Sequence, residues 1–227
     1  MLKGDLRRNQ ILEAAERLFY RNGYEQTSVQ DIIDALGYSK GGFYHHFDSK
    51  LALLDAICET RAEQGRKTAL AAIDTHPGDA VAKLNALFEQ SALWQADDLD
   101  YISLLLRVAY REDGALMREK IKQYSLNATL PIMDTVIQEG VRTKHFFVPH
   151  AHLVGELVLR MGAQFTDEIA FLINARPLED EFMPILLEKL ELYRHAVERI
   201  LEAPFGSVTL FDFQRLAIVC RTLLSRT

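Results

Sequence analysis

Donor side chains and aromatic rings alternate at helical spacing in the segment SKGGFYHHFDSK, residues 39–50. Lys40 and Tyr44 lie four positions apart, so in a helix their donor groups share one face, whereas Phe43 and Phe47 share another. An ammonium group and a phenol hydroxyl can both bind phosphate oxygens or base edges. The spacing therefore predicts a short helix with one contact face and one core face.

Two adjacent glycines, Gly41 and Gly42, stand inside this predicted helix. Each costs a helix about 1 kcal/mol relative to alanine. The functional interpretation is that the missing side chains let the backbone approach a bulky surface, such as phosphates and bases, closely. A loose turn is the alternative interpretation of the pair.

A preceding helix and a tight turn must position this contact helix. Thr27 and Gln30 predict a capping box at the start of the preceding helix. Gly37 predicts a left-handed residue at its end, and Ser39 predicts a new cap two residues later. Two short helices joined in this way are typical of the helix-turn-helix, which places its second helix in the DNA major groove.

From about residue 5 to residue 64 the sequence resembles the DNA-binding domain of TetR/AcrR-type transcriptional regulators. Tyr38 and Gly42 depart from that family's pattern, which usually has a small aliphatic residue and a Thr, Ser or Ala at these positions. The matching residues are Ile11 to Ala15, Leu18, Phe19, Gly23, Tyr24, Thr27 to Val29, Asp31, Ile32, Ser39 to Gly41, Phe43, Tyr44, His46, Phe47, Ser49, Lys50, Leu53 and Leu54.

The resemblance implies an all-α protein with two domains. Residues 5–64 would form a three-helix DNA-binding domain with its helix-turn-helix at 27–47, and residues 65–227 would form a helical effector-binding and dimerisation domain. Phosphate contacts are expected from a helix N-terminus and from Lys50, while Tyr38 could add a stacking or phosphate contact. The implied DNA-contacting residues are Thr27, Ser28, Ser39, Lys40, Gly41, Gly42, Tyr44, His45 and Lys50.

The implied function is that of a ligand-responsive transcriptional regulator, more commonly a repressor. It would bind a palindromic double-stranded DNA operator as a dimer and be released by a small-molecule effector. The alternative is a helical dimeric scaffold without specific DNA binding, for which Lys40, Tyr44 and Lys50 on one exposed face would have no use. No catalytic or nucleotide-binding motif is present, so neither an enzyme nor a cofactor is expected.

Charge and cysteine content limit the interpretation further. The chain carries a net charge of −6 with a pI of about 5.7, and residues 1–50 hold seven basic and seven acidic residues. DNA binding would therefore depend on the placement of a few side chains and show a modest salt dependence. Cys58 and Cys220 lack a CxxC arrangement, which favours reduced thiols in a cytoplasmic protein, with a redox-sensing pair as the alternative. No apolar run is long enough to span a membrane.

Beyond the helix-turn-helix the periodicity predicts helices throughout. A homodimer is expected through the helices at about 150–175 and 178–203. The first carries a stripe of small residues, Gly155, Gly162 and Ala170, and the second carries a wide apolar stripe from Phe182 to Leu201. The predicted helices span about 49–73, 78–96, 99–111, 114–143 with a kink at Pro131, 150–175, 178–203 and 208–224, the last packing on the second domain.

The effector site is expected between the fourth and seventh helices, where ligand binding would tilt the fourth helix and change the spacing of the two DNA-reading heads. Aromatic and methionine side chains would suit an aromatic, largely apolar ligand, although they also fill ordinary cores. The candidate lining residues are Phe88, Trp94, Tyr101, Tyr110, Met117, Tyr124 and Met133.

Three histidines and a glutamate form the one cluster in the sequence with metal-ligand chemistry: His145, His150, His152 and Glu156. The cluster spans a loop that contains Pro149, and its spacing matches no recognised metal motif. A polar loop and helix start is therefore the preferred interpretation, and no metal is expected.

Overall fold

The computed structural model describes residues 3–75, 78–90, 99–175, 178–210 and 213–226. Over these ranges the chain is helical, with a single 3-10 turn at Glu112–Gly114 and no strand, which confirms the predicted all-α class. The helices are α1 (Lys3–Asn22), α2 (Val29–Leu36), α3 (Lys40–Tyr44), α4 (Lys50–Thr75), α5 (Ala80–Glu89), α6 (Leu99–Ala109), α7 (Ala115–Arg142), α8 (Ala151–Asn174), α9 (Glu179–Leu201) and α10 (Phe213–Arg226).

An N-terminal core holds α1, α2, α3 and the first half of α4 together. Its centre contains Phe19, Ile32, Phe43 and Leu53, all of them buried. The same core includes residues from the end of α6 and the start of α7, among them Leu105 and Met117. The N-terminal helices are therefore packed on the α6–α7 corner, and α4 runs without a break across the predicted domain boundary at residue 64.

A second core is built from α5 to α10. The C-terminal helix α10 begins at Phe213, later than the predicted start at 208, and buries its apolar face in this core as expected. The stretch before α10 is fastened to α5 and α9. Asn85 donates to the Ser207 carbonyl at 2.9 Å and accepts from the Thr209 amide at 2.9 Å, and the buried Glu198 carboxylate accepts from the Val208 amide at 3.1 Å.

The small-residue stripe on α8 faces the interior of the subunit. A Cβ atom on Gly155 would lie 2.2 Å from Asp134 Oδ1 on α7, and one on Gly162 would lie 2.6 Å from the Tyr193 hydroxyl on α9. Ala170 is buried as well. Using this stripe as support for a dimer contact is therefore wrong, because these positions let α7 and α9 of the same chain approach α8 closely.

α5 ends at Glu89, before the predicted limit of 96, and residues 91–98 lie outside the described ranges. α7 continues through Pro131, and α9 contains Pro184.

In the described part of the chain, no helix is both long enough and apolar enough to cross a bilayer.

The two cysteines belong to different cores. Cys58 lies in the N-terminal core and Cys220 in the C-terminal core, so the structure does not bring them together as a redox pair. Burial raises the pKa of each thiol to about 12. The thiol, and not the reactive thiolate, is therefore the native form of both side chains.

Both cysteines are expected to resist thiol reagents in the folded protein. At pH 8 a thiol of pKa about 12 has a thiolate fraction of roughly one in ten thousand, and burial also blocks access. Reaction with an aromatic disulfide reagent should release less than a tenth of one equivalent in native buffer. It should release two equivalents in denaturant, which is the control for reagent activity. Fast labelling of one cysteine in native buffer would contradict the buried placement.

Candidate nucleic-acid interface

Ser28, and not Thr27, caps α2. The Ser28 hydroxyl accepts the Asp31 amide at 3.1 Å, and the Asp31 carboxylate accepts the Ser28 amide at 2.7 Å, which completes a reciprocal capping box. The predicted Thr27–Gln30 box is therefore wrong by one residue. Gln30 instead donates to the Asp34 carboxylate at 2.7 Å.

Thr27 is a core residue. Its side chain is 0% exposed, and its hydroxyl donates to the Gly23 carbonyl at 2.7 Å. The predicted phosphate contact from the Thr27 side chain is therefore wrong, because the helix start turns that side chain inward and Ser28 outward. The hydrogen bond from the Ser28 amide, followed by that from its hydroxyl, lowers the pKa of Asp31. A fixed carboxylate thus stands at the α2 N-terminus, where a phosphate was expected.

The turn between α2 and α3 has the predicted geometry. Gly37 has a φ of 65°, in the left-handed region that glycine adopts most readily. Tyr38 donates its amide to the Ile33 carbonyl at 3.1 Å. Ser39 caps α3 by accepting the Gly42 amide at 3.1 Å, so only three residues separate the end of α2 from the start of α3.

The two predicted faces of α3 are both present. Phe43 is 1% exposed and lies with Phe47 in the N-terminal core, whereas the neighbouring Tyr44 is 50% exposed. Lys40 and His45 are also exposed, and His46 is half-buried. We call Lys40, Gly41, Tyr44 and His45 the contact face. It is anchored from behind by Phe43 and Phe47.

Nothing in the fold of the described residues demands a glycine at position 41. A Cβ atom there would meet no atom within 4 Å, and the φ of Gly41 is not in the left-handed region. A Cβ atom on Gly42 would lie 3.3 Å from the Ser39 hydroxyl, which is a tighter fit. The absence of an internal reason for Gly41 favours an external one, namely close approach to another molecule.

Gly41→Ala is expected to stabilise the protein and weaken DNA binding at the same time. Alanine should raise the free energy of unfolding by about 0.5–1 kcal/mol through helix propensity, while its methyl group would obstruct the approach of α3 to DNA. Urea unfolding and DNA titration would measure the two effects. Gly65→Ala on α4, where a Cβ atom also meets open space, is the control, with stabilisation expected but unchanged DNA affinity. Unchanged affinity for Gly41→Ala would contradict the close approach.

Lys50 acts first as a link within the domain. Its ammonium group donates to the Tyr24 carbonyl at 2.9 Å and lies 4.2 Å from the centroid of the Tyr24 ring. The start of α4 is thereby held to the turn after α1. The sequence predicted only a phosphate clamp here. A second, longer hydrogen bond goes to the Glu25 carbonyl at 3.5 Å, so one of the three ammonium hydrogens remains for a phosphate.

Two residues of α1, Gln10 and Arg8, lie beside the contact helix. The Tyr38 hydroxyl donates to Gln10 Oε1 at 2.6 Å, and the Arg8 guanidinium lies 5.1 Å from the centroid of the Phe47 ring. The partners are 28 and 39 positions apart in the sequence, so no local spacing could have shown these contacts.

The predicted effector residues do not all gather in one place. Phe88 and Met133 lie in the C-terminal core, Met117 lies in the N-terminal core with Tyr124 packed on it, and Tyr110 contacts both. Trp94 lies outside the described residues, as does the side chain of Tyr101. Phe88 and Met133 are therefore the two described candidates that share the buried C-terminal core, and Tyr110 borders it.

The histidine-rich segment is arranged as a polar loop. His145 lies 3.1 Å from the Asp79 carboxylate and 2.8 Å from the Thr143 hydroxyl, while the His150 and His152 rings are 6.3 Å apart. Over the described ranges, no three side chains of His, Cys, Asp or Glu gather closely enough to hold a metal ion.

Two short helices joined by a tight turn, α2 and α3, lie in the N-terminal part of a chain whose described residues form helices and no strand. This arrangement defines the class of helix-turn-helix proteins. Residues 11–57 match the family model for bacterial regulatory proteins of the tetR family. The chain is similar to the HTH-type transcriptional regulator YfiR of Bacillus subtilis, with 39% identity over 61 residues, which are 27% of this chain and 30% of YfiR. It is also similar to the HTH-type transcriptional repressor KstR2 of Rhodococcus jostii, with 47% identity over 51 residues, 22% of this chain and 25% of KstR2.

The similarity of fold extends further than the similarity of sequence. A TetR-family transcriptional regulator from Pectobacterium atrosepticum superimposes with a TM-score of 0.63 at 20% identity, covering 90% of this chain and 100% of that one. Residues 11–57 therefore carry the N-terminal region typical of the tetR family of bacterial regulatory proteins, and the structural similarity shows a shared fold over most of the chain. The sequence match spans less than a third of the length of either curated relative.

Proposed function

We propose that this chain is a ligand-responsive transcriptional regulator, a repressor that binds a palindromic operator as a dimer and is released by a small-molecule effector. The contact face of α3 carries this proposal. Exposed Lys40, Tyr44 and His45 stand on a helix anchored by buried Phe43 and Phe47. One relative is named as an HTH-type transcriptional repressor.

The contact face suits the major groove. The ammonium group of Lys40 can bind phosphate oxygens or guanine acceptors, and the Tyr44 hydroxyl can donate to a phosphate. Gly41 leaves the backbone open to approach between them. The N-terminal fifty residues carry no net charge, so only a few phosphates would be neutralised, and the salt dependence of binding should be modest.

The proposed dimer surface lies on α8 and α9. Leu153 and Leu157 are exposed one turn apart on α8. Leu178, which directly precedes α9, and Ile185 and Leu192 on α9 are exposed at seven-residue intervals. The two helices pack side by side through Tyr193, whose hydroxyl donates to the Val158 carbonyl at 3.2 Å. A second copy placed on this double apolar stripe would form a four-helix bundle and present two contact faces to two half-sites.

Effector binding would act through α4 and α7. α4 enters the N-terminal core at its start and packs in the C-terminal core at Ala69. The Lys120 ammonium of α7 lies 2.8 Å from the Asp55 carboxylate of α4. A ligand that binds more tightly to a conformation in which α7 has shifted would favour that conformation, and α4 would move with α7. The two DNA-binding domains of the dimer would then be spaced differently, so the ligand would act by a population shift between two states. Phe88, Met133 and Tyr110 suit an aromatic, largely apolar ligand.

Selection of bound DNA from a random library by the purified full-length chain tests the proposal. The expected result is enrichment of a palindromic site, followed by a specific shift of the DNA upstream of its own gene. Repeating the titration with a panel of small molecules should show one aromatic, apolar class that releases the DNA. Failure to enrich any sequence would favour the scaffold alternative and contradict the proposal.

The double variant Leu157→Lys with Leu192→Lys is expected to be monomeric. Leu192 is 69% exposed, so a lysine there should not disturb the fold, whereas a charge buried in a dimer interface is strongly unfavourable. Sedimentation velocity should show about half the mass of the native protein, and operator binding should weaken at least about tenfold because the half-sites are then bound separately. Ile218→Lys on α10, where the isoleucine is 58% exposed and so lies between Leu157 and Leu192 in exposure, should remain dimeric. A dimeric double variant would place the interface elsewhere.

A further inference from the structure

The contact helix α3 is too short to be stable without contacts to other parts of the protein. α3 has five residues, and two of them are glycines. A helix of one turn and a half is unstable in isolation, because the cost of nucleation is not recovered by so few hydrogen bonds. Its orientation on the domain surface therefore depends on side chains outside the helix.

Two neighbouring residues of α1 supply such contacts at both ends of α3. At the start, the Tyr38 hydroxyl in the α2–α3 turn donates to Gln10 Oε1 at 2.6 Å. At the far end, the Arg8 guanidinium covers the ring of Phe47 at 5.1 Å. Phe47 is buried, so a shift of this ring would move the end of the contact helix.

We propose that Gln10 and Arg8 are positioning residues for sequence-specific DNA recognition. They clamp the two ends of the contact helix to α1. This inference rests on the proposed DNA-binding function. Base contacts require α3 to lie at a fixed depth and angle, whereas contacts to phosphates tolerate displacement. The clamp therefore contributes to discrimination between operator and other DNA more than to general affinity.

The geometry also assigns a different role to Tyr38 from the predicted phosphate contact. A phenol has one hydroxyl hydrogen, and in Tyr38 that hydrogen is directed to Gln10. A phosphate offers only acceptors, so the engaged hydroxyl has no donor left for it. Tyr38 therefore makes its hydrogen bond within the protein, and it affects DNA binding indirectly by fixing the position of α3.

A double-mutant cycle on the full-length protein tests the clamp. Tyr38→Phe and Gln10→Ala should each weaken operator binding about fivefold, the typical effect of losing one hydrogen bond. The double variant should lose no more than either single variant. Affinity for random-sequence DNA should stay within about twofold, and the unfolding temperature should stay constant. Gln64→Ala, at an exposed position of α4, is the matched control and should change neither affinity.

Arg8→Met extends the test to the other end of α3. It should weaken operator binding and leave random-sequence affinity within about twofold. Equal losses on both DNAs would mean that Arg8 binds phosphate directly, which would overturn its positioning role. A loss for Tyr38→Phe without a loss for Gln10→Ala would likewise show a direct Tyr38–DNA contact. Additive effects in the cycle would exclude the Tyr38–Gln10 link.

Amide hydrogen exchange separates this inference from the proposed function, because it requires no DNA. In the free protein, Tyr38→Phe and Gln10→Ala should both speed exchange across residues 39–47 at least about threefold, with no change in α8 and α9. If the native protein selects no DNA sequence, the proposed function fails whatever the exchange data show. If exchange in 39–47 is unchanged while native DNA binding is specific, the clamp fails alone.

Discussion

Replacing Lys40 and Tyr44 together by alanine is expected to lower affinity for the selected operator at least about a hundredfold while leaving the fold intact. Each direct contact of this kind is worth about 1–3 kcal/mol, and two lost contacts give a change of that order. Both side chains are exposed, and neither forms a hydrogen bond in the described part of the structure whose loss would unfold the domain. Fluorescence anisotropy with labelled operator would measure the affinity.

The choice of these two residues follows from the structure. Lys50 is a poorer probe, because its ammonium group also holds α4 to the Tyr24 carbonyl and its loss would weaken the domain itself. Lys67→Ala is the matched control, since Lys67 is an exposed lysine of α4 whose closest acidic partner lies 3.9 Å away. Circular dichroism should give the same unfolding temperature for the native protein and both variants. Normal operator binding by the double variant would show that α3 presents a different face to DNA.

Asp167→Ala is expected to have the largest effect on stability. Asp167 on α8 is 8% exposed, and its carboxylate accepts the Tyr110 hydroxyl at 2.8 Å and the Lys122 ammonium at 2.9 Å. Burial, and then the nearby Asp167 charge, raise the pKa of Tyr110, so its hydroxyl remains a donor. Alanine would leave a buried phenol and a partly buried ammonium without their acceptor. The cost is about 2–3 kcal/mol, reduced from the value for a fully buried pair because Lys122 can rehydrate in part.

Urea unfolding at fixed protein concentration would measure this loss, because the proposed dimer would make the free energy of unfolding depend on concentration. Glu168→Ala is a closely matched control. Glu168 is the next residue of α8, and its ion pair with Lys189 is partly exposed to solvent, so its removal should cost less than about 1 kcal/mol. If both variants lost the same stability, the Asp167 cluster would not hold α6, α7 and α8 together as its geometry indicates.

Local chemistry was enough to predict the helices and the two faces of α3. Apolar periodicity located α7, α8 and α9 within one or two residues, because a helix packed on one side must repeat its apolar residues every three to four positions. Gly37 and Ser39 fixed the turn, because their backbone requirements hold in any surroundings. The resemblance then identified the family from side chains of this same local segment.

Contacts between distant parts of the chain could not be predicted in this way. Thr27 and Ser28 are both good helix caps, and only the packing of the domain decides which hydroxyl turns into the core. Gly155 and Gly162 suit close helix approach in general, and the fold decides that the approaching helices belong to the same chain. In each case the role of the residue depends on which other residues pack against it, and local sequence spacing does not show that.

The sequence by itself determined that this protein has a helix-turn-helix with Lys40 and Tyr44 on one side and Phe43 and Phe47 on the other. That result follows from helix geometry, in which residues four apart share a face. Only the tertiary structure decided that Thr27 is buried, that Lys50 holds Tyr24, and that α1 reaches both ends of α3. These contacts form between residues far apart in the chain, and they exist only once the helices have packed.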